Sequence, residues 1–279
     1  MNYIQRKPIQ RSRLRLFLGR TFYTWRKYIS WHLTTRKFAS KYENGKLEHV
    51  VFTHHTPLIR RLQNVDMYLQ YNKVTNLRLA CERLNGVIIN PGETFSYWRL
   101  IGRPTYKKGY LDGLVLCADG TFKAGAGGGL CQMSNLIYWI TLHTPLTVTE
   151  RYRHSHDIFP DVNRTQPFGS GATCVYNYFD LQILNSTEDD YQLIVYLDDG
   201  SLHGEWRCSK PAPFKYEVYE REHSITSGLW GGYIRNNLIH RKVYDNYGKF
   251  IKDELVAENH ALMTYAPFLE AAQSLNAGI

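Results

Sequence analysis

The run Gly125-Ala126-Gly127-Gly128-Gly129 leads straight into an apolar-faced segment, and this junction constrains the fold more than any other stretch of the chain. Without Cβ atoms the backbone can turn sharply and approach another backbone or a ligand closely. From Cys131 to Thr144, the residues Met133, Leu136, Ile137 and Ile140 recur at three- and four-residue steps. That spacing predicts a helix, which Pro145 ends. A helix N-terminus is therefore expected at or beside Cys131.

A second helix is predicted over Lys73–Asn85, where Val74, Leu77, Cys81 and Leu84 share a face and Gly86 supplies the stop. Val87-Ile88-Ile89 reads as a short buried strand, followed by a turn at Asn90-Pro91-Gly92. Further along, Asp199-Gly200 suits a hairpin turn between Tyr191–Leu197 and Leu202–Arg207. Asn246-Tyr247-Gly248-Lys249 suits another between Ile239–Asp245 and Phe250–Val256. The expectation is an α+β fold with few helices and a mostly antiparallel sheet. Three parts are read: a basic aromatic arm (1–42), a main domain (43–208) and a small β-rich extension (209–279), with Ser209–Pro213 as the linker.

Charge is segregated. Residues 1–42 hold eleven Lys or Arg and no Asp or Glu, whereas the remaining 237 hold 23 bases against 25 acids. The body is close to neutral and gives no electrostatic reason to expect nucleic acid. The arm interleaves its bases with Phe17, Phe22, Tyr23, Trp25, Tyr28 and Trp31, a composition suited to peripheral contact with an anionic membrane. No apolar run approaches the ~20 residues of a membrane span, and no secretory leader is visible. The expected location is the cytoplasm, with peripheral contact at the inner membrane face. The five cysteines are widely spaced without a CxxC pair, which favours reduced thiols over a zinc ribbon.

A thiol at a helix N-terminus faces free N–H groups and the positive end of the dipole, which favour thiolate. Lowering a thiol by about two pKa units takes roughly 2.7 kcal/mol, whereas the helix supplies ~0.3–1 and at most ~2. A reactive Cys131 therefore needs a partner, and His154 and His156 lie downstream in Arg151-Tyr152-Arg153-His154-Ser155-His156-Asp157. In extended chain the two histidines point to one side. The candidate catalytic set is Cys131 as nucleophile, His154 as base and Gln132 as an oxyanion donor. The candidate ligand-binding set is Gly127, Gly128, Gly129, Ser134, Arg151 and His156. The opposing reading makes Cys131 a small core residue and the glycines a means of packing a helix closely. Cys131, His154 and His156 are plausible metal ligand types, but no spacing is diagnostic, so neither metal nor cofactor is expected.

Several ordered motifs together resemble one family. Asn76-Leu77-Arg78-Leu79-Ala80, Asn85-Gly86 and Pro91-Gly92-Glu93-Thr94-Phe95-Ser96 resemble the start of the VanW domain. Gly127–Gln132 resembles its glycine-cysteine-glutamine signature, Arg151 with His154 its arginine-histidine stretch, and Ala172-Thr173, Asp180-Leu181 and Asn185 its distal strands. The resemblance spans about Asn72 to Tyr196, weakly from Val50, and the chain's size is similar to the short members of vancomycin-resistance clusters. It implies a link to glycopeptide resistance or cell-envelope metabolism, without a settled activity. A peptidoglycan precursor is the expected partner, either as substrate of a Cys–His hydrolase or acyltransferase, or as ligand of a non-catalytic domain; an accessory scaffold is the third reading. One departure stands out: Gly171 occupies the place where the family usually carries Asp before Ala-Thr. An orienting carboxylate for His154 would then have to come from Asp157, Asp161 or Asp180.

Overall fold

The computed structural model describes residues 11–59, 65–117, 121–153, 156–157, 166–228 and 231–265. The chain opens with α1 (Arg13–His32), β1 (Lys37–Phe38), β2 (Lys41–Tyr42) and β3 (His49–Pro57). It continues through α2 (Met67–Leu84), β4 (Val87–Ile89), β5 (Glu93–Ser96), α3 (Tyr97–Ile101), β6 (Asp112–Leu116) and β7 (Phe122–Ala126). Next come α4 (Cys131–Thr141), β8 (Thr147–Glu150), β9 (His156–Asp157), β10 (Gln182–Leu184), β11 (Tyr191–Leu197) and β12 (Ser201–Cys208). Three long strands close the chain: β13 (Phe214–Ser227), β14 (Tyr233–Asp245) and β15 (Phe250–Met263). The architecture is α+β with mostly antiparallel pairing.

Two sheets build the main body, one ordered β2-β4-β11-β12-β3 and the other β1-β5-β10-β8. Leu77, Ala80 and Leu84 of α2, and Met133, Leu136, Ile137 and Ile140 of α4, are buried in one core with Leu193, Val195, Leu202 and Trp206 of the sheet. The helix faces read from three- and four-residue steps are thus the faces that pack. Trp206 satisfies its indole by donating to Thr141 Oγ1 at 2.9 Å, so its ring is buried without an orphaned donor. α2 begins six residues ahead of the predicted start, since Met67–Asn72 lacks a strong apolar period yet continues the turn sequence. α4 stops at Thr141, three residues short of the predicted end, where Thr144 Oγ1 donates back to Thr141 O at 2.8 Å.

The basic segment is woven into this body. β1 runs parallel to β5 and β2 antiparallel to β4, so each short strand extends a different sheet. α1 docks through Lys27 and Trp31, both buried. The third sheet, ordered β13-β14-β15-β9, is built from the long strands after Cys208 and takes in His156 and Asp157 as its last strand. Its predicted hairpin grows to Tyr233–Asp245 against Phe250–Met263.

Candidate functional site

The glycine run is spent on close packing. A Cβ on Gly128 would lie 2.1 Å from the backbone of Gly113, so β6 and the loop touch main chain to main chain. Gly129 combines a left-handed φ of +88° with Lys73 stem atoms 2.3 Å from where its Cβ would sit. Asn76 locks this contact from inside α2. Its amide donates to Leu111 O and Gly128 O, both at 3.0 Å, while its oxygen accepts from Leu111 N at 2.8 Å. Gly128 and Gly129 therefore seat the loop ahead of α4 against β6 and α2, and Gly127 lies against Pro104.

Cys131 is the first residue of α4, as the sequence predicts. Its thiol donates to Cys174 O at 3.6 Å, and burial pushes it up from its ordinary pKa against the opposing pull of backbone hydrogen bonding around it. Desolvation of the sulfur thus outweighs the helix terminus that would favour thiolate. Gln132 commits both amide hydrogens to the end of β3, donating to Thr56 Oγ1 at 2.9 Å and Pro57 O at 3.0 Å. Ser134 lies buried one turn into α4, with its hydroxyl 2.7 Å from Ala172 O. Asn135 Oδ1 accepts from Ala172 N at 2.8 Å, and the same oxygen sits 2.5 Å from where a Cβ on Gly171 would be. The departure at Gly171 has its reason here: Asn135 occupies the space of the missing side chain.

Arg151 reaches the same loop from the other side. Its Nε donates to Gly171 O at 2.9 Å, and its terminal nitrogen donates to Gly169 O and to Asn259 Oδ1. The guanidinium lies 4.7 Å over the Tyr138 ring. His156 pairs beside Leu262 in the third sheet. His154 and Asp161 lie outside the described residues. Asp157 is held by Arg235 at 3.3 Å and Tyr265 at 2.9 Å. Asp180 accepts from Ser96 Oγ, Trp98 N and Gln182 Nε2, which ties it to the start of α3. Both carboxylates thus have structural partners. Among the described residues no group of three His, Cys, Asp or Glu side chains could hold a metal ion, and all five cysteines are unpaired.

A groove of about 660 Å³ opens along α4 beyond this cluster, between β8 and the third sheet. Consecutive residues Thr147, Val148 and Thr149 line it, so β8 is seen edge-on; β8 is also the terminal strand of its sheet. The opposite wall comes from the third sheet: Arg241 and Val243 of β14, alternate residues on one face, and Ile251, Lys252, Glu254, Leu255 and Val256 of β15, whose pairing with β14 shifts register twice. Tyr138 and Thr141, in the last turn of α4, line it together with Arg151, at the end of the helix away from Cys131. The ionised residues lining the groove are Arg151, Arg241, Lys252 and Glu254, three cations against one carboxylate. Glu254 serves Arg241 at 2.5 Å and Lys252 at 2.6 Å, whereas Arg151 meets only neutral acceptors among its described partners. Sequence reasoning found Arg151 but missed Tyr138, Arg241 and Lys252, which no local spacing joins.

These elements define an α+β domain built around a glycine-packed, cysteine-headed helix, a class for which no solved structure gives a match. Comparison with known sequences narrows the class. The family profile described as VanW like protein matches residues 72–207. The chain is 35% identical over 228 residues to vancomycin B-type resistance protein VanW of Enterococcus faecalis, which covers 82% of each chain. The chain belongs to the VanW family. It is also 26% identical over 102 residues to the uncharacterized protein YoaR of Bacillus subtilis, across 34% of this chain and 33% of the relative.

Proposed function

We propose that this chain is a binding protein of the glycopeptide-resistance response that holds the peptide part of a peptidoglycan precursor in the groove beside β8. The resistance link comes from the Enterococcus faecalis relative named for vancomycin resistance. The observation that carries the binding reading is the groove itself: among the described residues one wall is a strand edge with no neighbouring strand, and the lining has two surplus positive charges. An open edge offers unpaired main-chain donors and acceptors to an extended peptide, and side-chain contacts on the facing wall add selectivity. The cationic surplus suits a carboxylate on that peptide. Cys131, Gln132 and Ser134 are not among the residues that line the groove; their polar groups already have partners and the thiol favours the neutral form.

The competing reading gives Cys131 the attack on a carbonyl, His154 the proton, and Gln132 with the helix terminus the oxyanion. One titration separates the two. Binding of a fluorescein-labelled muramyl peptide with a free carboxylate, followed by fluorescence anisotropy, is expected to survive Cys131→Ser within about twofold. Lys252→Glu is expected to weaken it roughly tenfold, equivalent to about 1.4 kcal/mol. Peptide cleavage by the parent chain that disappears in Cys131→Ser, with Lys252→Glu unaffected, would overturn the binding reading.

A further inference from the structure

Among the described residues α1 packs on the body through one face and leaves many of its apolar side chains open, Leu16, Phe17 and Tyr23 singly and the rest in a row. On the inner face Lys27 and Trp31 are buried against the body. Lys27 Nζ lies 2.5 Å from both oxygens of Glu150, Tyr28 meets the Tyr176 hydroxyl at 2.9 Å, and Arg99 donates to Trp31 O at 2.8 Å. The helix is therefore fixed in orientation. At 100° per residue the opposite face carries Leu14, Leu18, Phe22, Trp25 and Ile29, in steps of four, four, three and four. All five are open to solvent, at 67%, 56%, 62%, 64% and 55% exposure respectively. Leu33, at the C-cap and 81% exposed, prolongs the row. The stripe from Leu14 to Ile29 is about 22 Å long at ~1.5 Å per residue.

Such a stripe on a docked helix does not serve the core, which the inner face already satisfies. Its charge setting identifies what covers it. Arg15 and Arg26 fall beside the row and are exposed, and no acidic residue occurs before Glu43. An apolar row flanked by arginines with no compensating acid matches an anionic lipid surface, where rings and leucines enter the acyl boundary and guanidiniums meet phosphates. Among the described residues no helix is long and apolar enough to cross a membrane, so α1 would lie in the plane of the surface.

We infer that α1 is an in-plane docking helix for an anionic lipid surface, seated through Leu14, Leu18, Phe22, Trp25 and Ile29. This inference does not depend on the groove, and either can fail alone. Because Lys27 is clamped to Glu150 at the end of β8, the seated helix would hold the groove at a fixed distance from the lipid.

The test is co-sedimentation of the full chain with vesicles of phosphatidylcholine alone and of phosphatidylcholine with phosphatidylglycerol in equal parts. The parent chain is expected to bind the anionic vesicles at least about tenfold more strongly, and less so as salt rises. Phe22→Ser with Trp25→Ser changes only exposed side chains and is expected to lower that binding about tenfold or more. Arg15→Glu with Arg26→Glu is expected to abolish the preference for anionic vesicles. Equal recovery of the parent chain with both vesicle types, or unchanged binding by the serine variant, would overturn the inference. So would self-association in lipid-free buffer that the serine variant loses while neither protein binds vesicles, since the stripe would then join two copies.

Discussion

Asn76 commits its whole side-chain amide to main chain, and its burial is complete. Asn76→Ala would take the side-chain partner from Leu111 N and from the buried Gly128 O, while Leu111 O keeps its bond from Gly127 N. The expected cost is about 3 kcal/mol, read as a lower urea midpoint with an unchanged slope; a midpoint equal to the parent's would contradict this account of the loop. At this scale the sequence is informative about residue types and silent about their partners. Cys131 is found where a helix start predicts it, yet the acceptor of its thiol, Cys174 O, comes from 43 residues away. Gln132 has the right chemistry for an oxyanion donor, but Thr56 and Pro57 consume its hydrogens from a strand no local pattern connects to it. The missing carboxylate at Gly171 is legible as a gap, whereas its cause, Asn135 in the vacated volume, is a tertiary fact.

Two titrating groups sit at the ends of helices and pull stability in opposite directions. Asp180 accepts from Trp98 N at the start of α3, and burial raises its carboxyl to about 6 from 3.8. Its contribution to stability is present below 3.8 and is lost as pH rises through about 6. His143, just past the end of α4, stacks on Phe52 with ring centres 3.8 Å apart, and burial lowers its imidazole to about 4 from 6.5. Its contribution is present above 6.5 and is lost as pH falls through about 4. Relative to the parent chain, Asp180→Asn should make stability rise more steeply with pH between those limits. His143→Phe should make it fall more steeply. Urea midpoints across this range check both, and parallel curves for all three proteins would contradict the assignment. Elements with a strong period are legible in the sequence: α2 and α4 pack on the predicted faces, and Asp199-Gly200 turns the predicted hairpin. β1 and β2 are not, because strands of two residues carry no period and owe their pairing to β5 and β4. The two faces of α1 were readable only as interleaved bases and rings until docking showed which face is used.

The molecule as a whole brings together what the chain keeps far apart. The groove takes its floor from α4 and Arg151, one wall from the edge of β8, and the other from strands about a hundred residues later. That separation is why its basic lining is invisible in a body whose net charge is close to zero: Arg241 and Lys252 count as ordinary surface bases until the third sheet folds over α4. Lys27, in turn, ties the outward-facing helix to the last residue of β8. The proposed lipid-docking helix and the proposed peptide groove thus meet at one strand. Hydrogen–deuterium exchange with and without a carboxylate-ended muramyl peptide tests the central claim most directly. Slowed exchange across Thr147–Glu150, with no change at Cys131–Ser134, is the result expected for a strand adding to the edge of β8. Protection confined to Cys131–Ser134, with β8 exchanging as before, would place the ligand on the cysteine cluster and contradict the account.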